Sequence, residues 1–171
     1  SGAVVGLCPI TEANLGDGIF DGRGLLLSGG KYGIGSDSNV RISLTEELRL
    51  LEYSQRLSRK ERNLMTRKKG SVGSSLYKDA LIGGSQALCR ESGSIVEGNL
   101  ADLLTLDSEA LELFGCLDNE FLDRWIFSGD DSLVKEVWSA GRLMVVEGKH
   151  IKHDEIEKRF REVISDFRRE E

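Results

Sequence analysis

Apolar positions near the start of the chain predict two short buried strands separated by polar sequence. The first run covers residues 3–9 and reads AVVGLCP, a continuous apolar stretch typical of a parallel strand that is covered on both faces. Proline at position 9 closes it, because proline cannot donate to a ladder of backbone hydrogen bonds. The second run covers Tyr32–Ile34 and is followed closely by Asp37, so a strand leads into an acidic residue at its end.

The sequence around these runs predicts a loop and two helices. Residues 10–20 are polar and contain an Asp-Gly pair, so we expect a loop there, with a brief helix around Leu25–Leu27. Ser43 and Glu46 match a capping box, in which a hydroxyl and a carboxylate each accept a hydrogen bond from the other residue's backbone. The apolar stripe that follows at helical spacing consists of Leu44, Leu48, Leu50, Leu51 and Leu57.

A second helix is predicted between Gly70 and Leu88, and Gly83 and Gly84 within it would let the helix approach a neighbour closely. The order of elements is then strand, short helix, strand, helix and helix. Strands that alternate with helices in this way favour an α/β fold built on a parallel sheet.

The C-terminal part of the chain is predicted to contain further strands and a final helix. The expected elements are a turn and strand over 94–107, irregular chain over 108–119, a short strand over 123–127, a hairpin over 134–150 and an amphipathic helix over 154–171. Asp154 and Glu157 resemble a cap at the start of that helix.

Composition narrows the classes of partner. The chain has 171 residues, 39% of them hydrophobic and 30% charged, with a formal net charge of −6, so we expect no nucleic-acid partner. No apolar run approaches the length of a membrane span and no signal peptide opens the chain, so we expect a cytoplasmic protein without a membrane partner. Cys8, Cys89 and Cys116 form no CxxC pair and are expected to be buried free thiols.

Asp37 is the residue whose position suggests chemistry. In a barrel of parallel strands, the carboxylates at the C-terminal ends of the strands face the place where the reaction occurs. Taken alone, the Gly-Ser-Asp pattern of residues 35–37 favours a carboxylate that only caps the turn or a helix end.

Two segments of the C-terminal part carry a resemblance to a known family. Residues 97–107 read EGNLADLLTLD and resemble the G-x-x-A-D-L-x-x-x-D strand of the metal-dependent amidohydrolase superfamily. Residues 134–142 read VKEVWSAGR and resemble the V-x-x-V-W-x-x-G-R hairpin of the same superfamily. Within it, residues 6–18, 35–38 and 51–57 are similar to the formimidoylglutamate deiminase family, and the resemblance runs over essentially the whole chain.

The resemblance implies a fold. The chain is expected to be the C-terminal part of a (β/α)₈ TIM-barrel amidohydrolase, with the last two strands and their helices, part of the appended small β-sandwich, and a C-terminal helix. The implied units are the barrel end at 1–92, the sandwich strands at 93–152 and the amphipathic helix at 153–171. The chain begins without a methionine, and a complete barrel takes about 250 residues, so we expect a piece of a longer protein.

The resemblance also implies an activity. One divalent metal, usually zinc, activates the water that hydrolyses N-formimino-L-glutamate to N-formyl-L-glutamate and ammonia, as in histidine degradation. On the residue match, Asp37 is the metal ligand at the end of strand eight and helps to move the proton of the water. Glu12, Asn14 and Asp17 follow strand seven and either line the substrate pocket or hold the turn.

The histidines of the chain depart from the family pattern. The superfamily's site uses a His-x-His pair and two further histidines, whereas this chain has only His150 and His153, which are expected to be exposed. We therefore expect the remaining ligands on an N-terminal part, a homodimer at full length, and neither deiminase activity nor tight metal binding in the isolated chain. Two alternatives stay open, namely a non-catalytic interaction or dimerisation module and another deaminase or chlorohydrolase of the superfamily.

Overall fold

The computed structural model describes residues 2–67, 70–118 and 120–169, which form an α/β part followed by an antiparallel sheet and a helix. In chain order the elements are β1 (Val4–Leu7), α1 (Pro9–Leu15), α2 (Gly22–Leu27), β2 (Lys31–Ile34), α3 (Leu44–Arg59), α4 (Val72–Leu88), β3 (Leu103–Leu106), α5 (Phe121–Phe127), a 3₁₀ turn (Asp131–Leu133), β4 (Val134–Ser139), β5 (Arg142–Val146), β6 (Lys149–His150) and α6 (His153–Phe167).

The two N-terminal strands pair in parallel, as expected of neighbouring barrel strands. Val4 of β1 stands opposite Lys31 of β2, and Leu7 stands opposite Ile34. Within the described chain these strands form a two-stranded sheet, so each has an outer edge on which no described strand lies. A two-stranded sheet of this kind needs further cover for independent stability.

The loop predicted over 10–20 is wrong in its first half, which forms helix α1. Pro9 is the first residue of the helix, where its missing N–H removes no helical hydrogen bond. The Glu12 carboxylate accepts a hydrogen bond from the backbone N–H of Cys8 at 2.8 Å, and Gly16 ends the helix in a left-handed conformation with φ 76°. The proline that closes β1 therefore also starts the helix, which the polar composition of the segment hides.

Helix α3 begins where the capping pattern predicts. The Ser43 hydroxyl accepts a hydrogen bond from the backbone N–H of Glu46 at 3.3 Å. Leu48 and Leu51 are buried in the core against β2, as the apolar stripe requires, but Leu57 is 79% exposed. The stripe therefore ends before Leu57, and the prediction for that residue is wrong.

Close packing between α4 and β2 confirms the role expected of the glycine pair. A Cβ atom placed on Gly83 would lie 1.8 Å from the carbonyl oxygen of Tyr32, whereas a Cβ on Gly84 would have no atom within 4 Å. Tyr32 is fully buried beneath the helix, and its hydroxyl donates to the carbonyl of Leu76 at 3.2 Å.

The C-terminal sheet contains the predicted hairpin, but a segment before it that was predicted as a strand forms a helix. Its order is β3-β4-β5-β6 with antiparallel pairing throughout. The strand predicted over 123–127 is wrong, because these residues belong to helix α5. Trp125 and Ile126 are adjacent and both buried, because α5 packs against α3 and α4 and its residues enter two core clusters.

Helix α6 is amphipathic, as predicted, although its cap differs. The predicted cap is wrong, because the helix starts after Lys152 without a capping side-chain hydrogen bond, and Glu157 instead pairs with Arg161 at 2.5 Å. Its apolar residues are solvent-exposed and comprise Ile156, Phe160, Val163, Ile164 and Phe167. The last two residues of the predicted helix lie outside the described range.

The described residues contain no helix with the length and apolar content needed to cross a membrane. The cysteine prediction is only partly right. Cys8, Cys89 and Cys116 are free thiols, but Cys89 is exposed and the other two are half-buried. His153 is exposed as expected, whereas His150 is half-buried in β6.

Candidate active site

The C-terminal ends of β1 and β2 meet at one edge and bring the candidate residues together. The last register pair is Leu7 with Ile34, and the backbone N–H of Gly35 extends the pairing by donating to the carbonyl of Leu7 at 3.0 Å. Helix α1 leaves this edge after β1, and the loop that carries Asp37 leaves it after β2. Parallel strands therefore deliver both predicted segments to the same edge.

Asp37 lies in the tight turn that follows β2, and the residue is exposed. Its φ is 43°, in the left-handed region that aspartate tolerates better than most residues. Two hydrogen bonds close the turn around it, one from the backbone N–H of Asn39 to the carbonyl of Ser36 at 3.0 Å and one from the Ser36 hydroxyl to Asn39 Oδ1 at 2.9 Å. The backbone at Asp37 is thus held while the residue stays open to solvent.

Thr11 connects helix α1 to this turn. It is 2% exposed, and its hydroxyl donates to the carbonyl of Ser36 at 3.2 Å and lies 3.0 Å from the hydroxyl of Ser38. A threonine hydroxyl has one proton, so the Ser38 hydroxyl is the donor in the second bond. Thr11 therefore contacts both residues that flank Asp37.

The other predicted residues lie on or just after α1. Glu12 is half-buried and caps its own helix through Cys8, while Asn14 and Asp17 are exposed. A cavity of about 340 Å³ between α1, the segment after it and α3 is lined by Glu12 but not by Asn14, Asp17 or Asp37. The helix-capping role of Glu12 is thus visible, and a role toward substrate stays a prediction for all three.

Glu47 is a buried carboxylate at this edge and is not among the residues predicted for the site. It is 2% exposed, and its Oε2 accepts the backbone N–H of Ile10 at 2.8 Å. Its Oε1 is buried and has no hydrogen-bond partner among the described residues. Burial raises the pKa of the Glu47 carboxyl, the charges of Glu12 and Glu46 add to that rise, and the Ile10 N–H opposes it.

Negative charge accumulates where β1 ends. Burial raises the pKa of the Cys8 thiol, and the charges of Asp37, Glu47 and Glu12 raise it further. A thiol with a raised pKa is a poor nucleophile and a poor metal ligand at neutral pH.

A complete metal site does not form from the described residues alone. No three histidine, cysteine, aspartate or glutamate side chains in that part of the chain converge on one point. His150 accepts the backbone N–H of Lys152 at 3.2 Å, and His153 pairs with Glu157 at 3.5 Å. Both histidines thus make local contacts around the start of α6, and a metal-ligand role for Asp37 stays a prediction.

Comparison with known proteins identifies the relatives of this chain. The sequence matches the amidohydrolase family over residues 1–144. It is 46% identical over 168 residues to the formimidoylglutamate deiminase of Pseudomonas aeruginosa, covering 98% of this chain and 37% of that enzyme. It is 25% identical over 158 residues to a 5-methylthioadenosine/S-adenosylhomocysteine deaminase of Pyrococcus abyssi, covering 91% of this chain and 35% of that enzyme.

Solved structures give the same relationship. The fold superimposes on an amidohydrolase from Brucella melitensis with a TM-score of 0.87 and 41% identity, over 96% of this chain and 36% of that one. It also superimposes on an adenosine deaminase from Xanthomonas campestris with bound zinc, with a TM-score of 0.77 and 23% identity, over 95% and 38%. The chain spans between a third and two fifths of the length of these relatives.

Proposed function

Because this chain belongs to the amidohydrolase family, we propose that it is the C-terminal part of an enzyme that hydrolyses N-formimino-L-glutamate to N-formyl-L-glutamate and ammonia. The observation that carries the proposal is the 46% identity to a formimidoylglutamate deiminase over 98% of the chain. The position of Asp37 at the shared end of two parallel strands supports it.

The proposed division of the chain follows its elements. Residues 1–92 would contribute the last two strands and helices of a (β/α)₈ barrel, residues 93–152 the strands of an appended β-sandwich, and residues 153–171 the C-terminal helix. The open edges of β1 and β2 are where an N-terminal part would continue the sheet.

Asp37 is the residue that we propose for catalysis. The adenosine deaminase neighbour has bound zinc, and a zinc ion, when bound, supplies a Lewis acid that lowers the pKa of water. The exposed carboxylate of Asp37 fits one ligand position, and its second oxygen can accept the proton of the attacking water. Attack of the water oxygen at the formimino carbon would form a C–O bond, and the bond from that carbon to the imino nitrogen would then break. The imino nitrogen would leave as ammonia with both protons of the water, and the bond to the glutamate nitrogen would stay intact.

Partners and location complete the proposal. We expect the remaining metal ligands, including the histidines, on the N-terminal part of the same polypeptide, and the groups that hold the two carboxylates of the substrate largely there as well. Glu12, Asn14 and Asp17 are proposed to lie near the substrate. The full-length enzyme is proposed to be a cytoplasmic homodimer.

Ammonia release by the purified full-length protein, with N-formimino-L-glutamate as substrate and zinc supplied, tests the proposal. We expect turnover of this substrate to exceed that of 5-methylthioadenosine, guanine and chlorinated triazines. The Asp37→Asn variant should lose about 100-fold or more in kcat, the range typical of a lost general base.

Two outcomes would contradict the proposal. Preferential turnover of a purine or triazine would favour another deaminase or chlorohydrolase of the family. A reading frame that encodes no His-x-His segment upstream, together with a stable zinc-free protein, would favour the non-catalytic module.

A further inference from the structure

We propose that Thr11 is a positioning residue that fixes the backbone on both sides of Asp37, an inference that rests on the proposed function of Asp37. Thr11 lies on helix α1, which follows β1, whereas Asp37 follows β2. In this proposal Thr11 contacts neither substrate nor metal. Its hydroxyl is the group that carries the effect.

The hydrogen bonds of Thr11 reach both neighbours of Asp37. The hydroxyl donates to the carbonyl of Ser36 at 3.2 Å and accepts from the hydroxyl of Ser38, 3.0 Å away. One buried group therefore holds the residue before Asp37 and the residue after it. A change in this contact moves the Asp37 Cα and the direction in which its carboxylate points.

The turn around Asp37 has a backbone conformation that these hydrogen bonds help to hold. Asp37 and Asn39 both have positive φ, 43° and 54°, a region that residues other than glycine occupy when surrounding contacts hold them there. The Ser36 and Asn39 bonds hold the turn from within, and Thr11 holds it from outside. Without Thr11, we expect the turn to sample additional conformations and Asp37 to spread over several positions.

Thr11 is itself held firmly, as a positioning residue must be. It is buried on α1, and the start of that helix is tied at two points, with Ile10 N–H donating to Glu47 and Cys8 N–H donating to Glu12, each at 2.8 Å. Helix α1 is therefore bound to α3 through Glu47, and Thr11 binds the Asp37 turn to α1. Loss of a hydrogen bond made directly to a metal ligand weakens metal binding about 10–100-fold, and Thr11 acts one step further away, through the residues on either side of Asp37.

The test uses the full-length protein and three variants. Thr11→Val replaces the hydroxyl with a methyl group of the same size, Thr11→Ser retains the hydroxyl, and Thr45→Val is the matched control. Thr45 is 1% exposed, and its hydroxyl contacts Ser43 at 3.3 Å rather than the Asp37 turn. Zinc dissociation constants are measured by competition with a chromogenic chelator, independently of turnover, together with kcat, KM and the melting temperature.

We expect Thr11→Val to weaken zinc binding and to lower kcat by about tenfold each with KM little changed, at the lower end of the range for supporting residues. Thr11→Ser should restore both to within about threefold of the wild type, because its hydroxyl reaches the same partners. Thr45→Val should lower the melting temperature by about as much as Thr11→Val does, without changing zinc affinity.

Wild-type zinc affinity and kcat in Thr11→Val would overturn the inference, as would an equal loss of affinity in Thr45→Val. A wild-type protein that binds zinc but does not hydrolyse formiminoglutamate overturns the proposed function alone, since the zinc affinities of the variants still decide the role of Thr11. A wild-type protein that binds no zinc overturns both.

Discussion

The Oδ1 atom of Asp102 lies 2.8 Å from the backbone nitrogen of Ala140 and accepts its hydrogen bond. The same carboxylate accepts from the Arg90 guanidinium at 2.9 Å, and the backbone N–H of Gly141 donates to the carbonyl of Ala101 at 2.9 Å. The A-D-L segment and the turn of the G-R hairpin, which carry the family resemblance, are thus joined directly. Asp102 is a structural residue that ties the β4–β5 turn to the start of β3.

Replacing Asp102 with asparagine should reduce stability in a pH-dependent way. The Ala140 N–H and the Arg90 guanidinium hold the pKa of this carboxyl below its usual range. The stabilising contribution is therefore present above the unfolded pKa of about 3.9 and is lost as pH falls through the folded-state pKa. We expect Asp102→Asn to unfold at lower urea concentration than the wild type at neutral pH, with the difference closing in acid.

Glu97→Gln provides the control for this measurement, because Glu97 is exposed on the segment that leads into the same strand. Its urea midpoint should follow the wild type at every pH. A gap between Asp102→Asn and the wild type that stayed constant from neutral to acid pH would show that the charge of Asp102 contributes nothing.

A methyl group at Gly83 should disrupt the packing of α4 on β2. Its Cβ would lie 1.8 Å from the Tyr32 carbonyl oxygen, so the helix must move away from the strand. We expect Gly83→Ala to lower the free energy of unfolding by about 3 kcal/mol, near the upper end for overpacked sites. Thermal unfolding of the full-length protein measures the change.

Gly84→Ala is the matched comparison, because a Cβ at Gly84 meets no atom within 4 Å. The alanine should be neutral or should stabilise by up to about 1 kcal/mol, since glycine is the poorer helix former. Equal effects of the two substitutions would contradict the close contact between Gly83 and Tyr32.

Glu47→Gln should flatten part of the pH dependence of stability. Burial raises the pKa of the Glu47 carboxyl, so the folded state binds this proton more tightly than the unfolded chain. The contribution is fully present below the unfolded pKa of about 4.3 and is lost as pH rises through the folded-state pKa. The glutamine variant, which can still accept the Ile10 N–H, should gain stability relative to the wild type as pH rises from about 4 to neutral.

Urea midpoints measured across that range test the expectation, with Glu61→Gln as the control because Glu61 is exposed. A constant difference between Glu47→Gln and the wild type would mean that Oε1 finds a hydrogen-bond donor or a cation in the full-length protein.

Glu52 should be among the most sensitive charged residues of α3. It is 0% exposed, and its carboxylate accepts from the backbone N–H groups of Leu64 at 3.1 Å and Met65 at 2.7 Å and from Arg56 at 2.6 Å. Glu52→Ala leaves these donors without their acceptor, so we expect a loss of about 3–5 kcal/mol in the free energy of unfolding. Glu52→Gln keeps an acceptor in place and should lose clearly less in the same unfolding measurement.

Much of the fold follows from local sequence signals, because the structure contains the elements that these signals predict. The Ser43 cap marks the start of α3, the apolar run before Pro9 marks β1, and the glycine pair marks a close contact. The failures have physical causes. Helix α1 has a polar sequence that hides a proline start and a Glu12 cap, and α5 is a seven-residue helix whose apolar residues have high strand propensity.

The candidate site was predictable only where it follows a strand. Asp37 could be proposed from its place after β2, whereas Thr11 and Glu47 depend on contacts 27 and 37 residues apart in sequence. One signal for Glu47 was present in the pattern. It falls between Leu44, Leu48 and Leu51 on the buried stripe of α3, where a charged residue requires a partner.

The exposed thiol of Cys89, at the end of α4, is a site for selective chemical labelling. Cys89 is the C-cap of that helix and is open to solvent, whereas Cys116 is half-buried and the half-buried Cys8 also has a raised pKa. A maleimide fluorophore at neutral pH should therefore attach first to Cys89. The dye would report by fluorescence on the junction between the helical part and the antiparallel sheet, with no engineered cysteine needed.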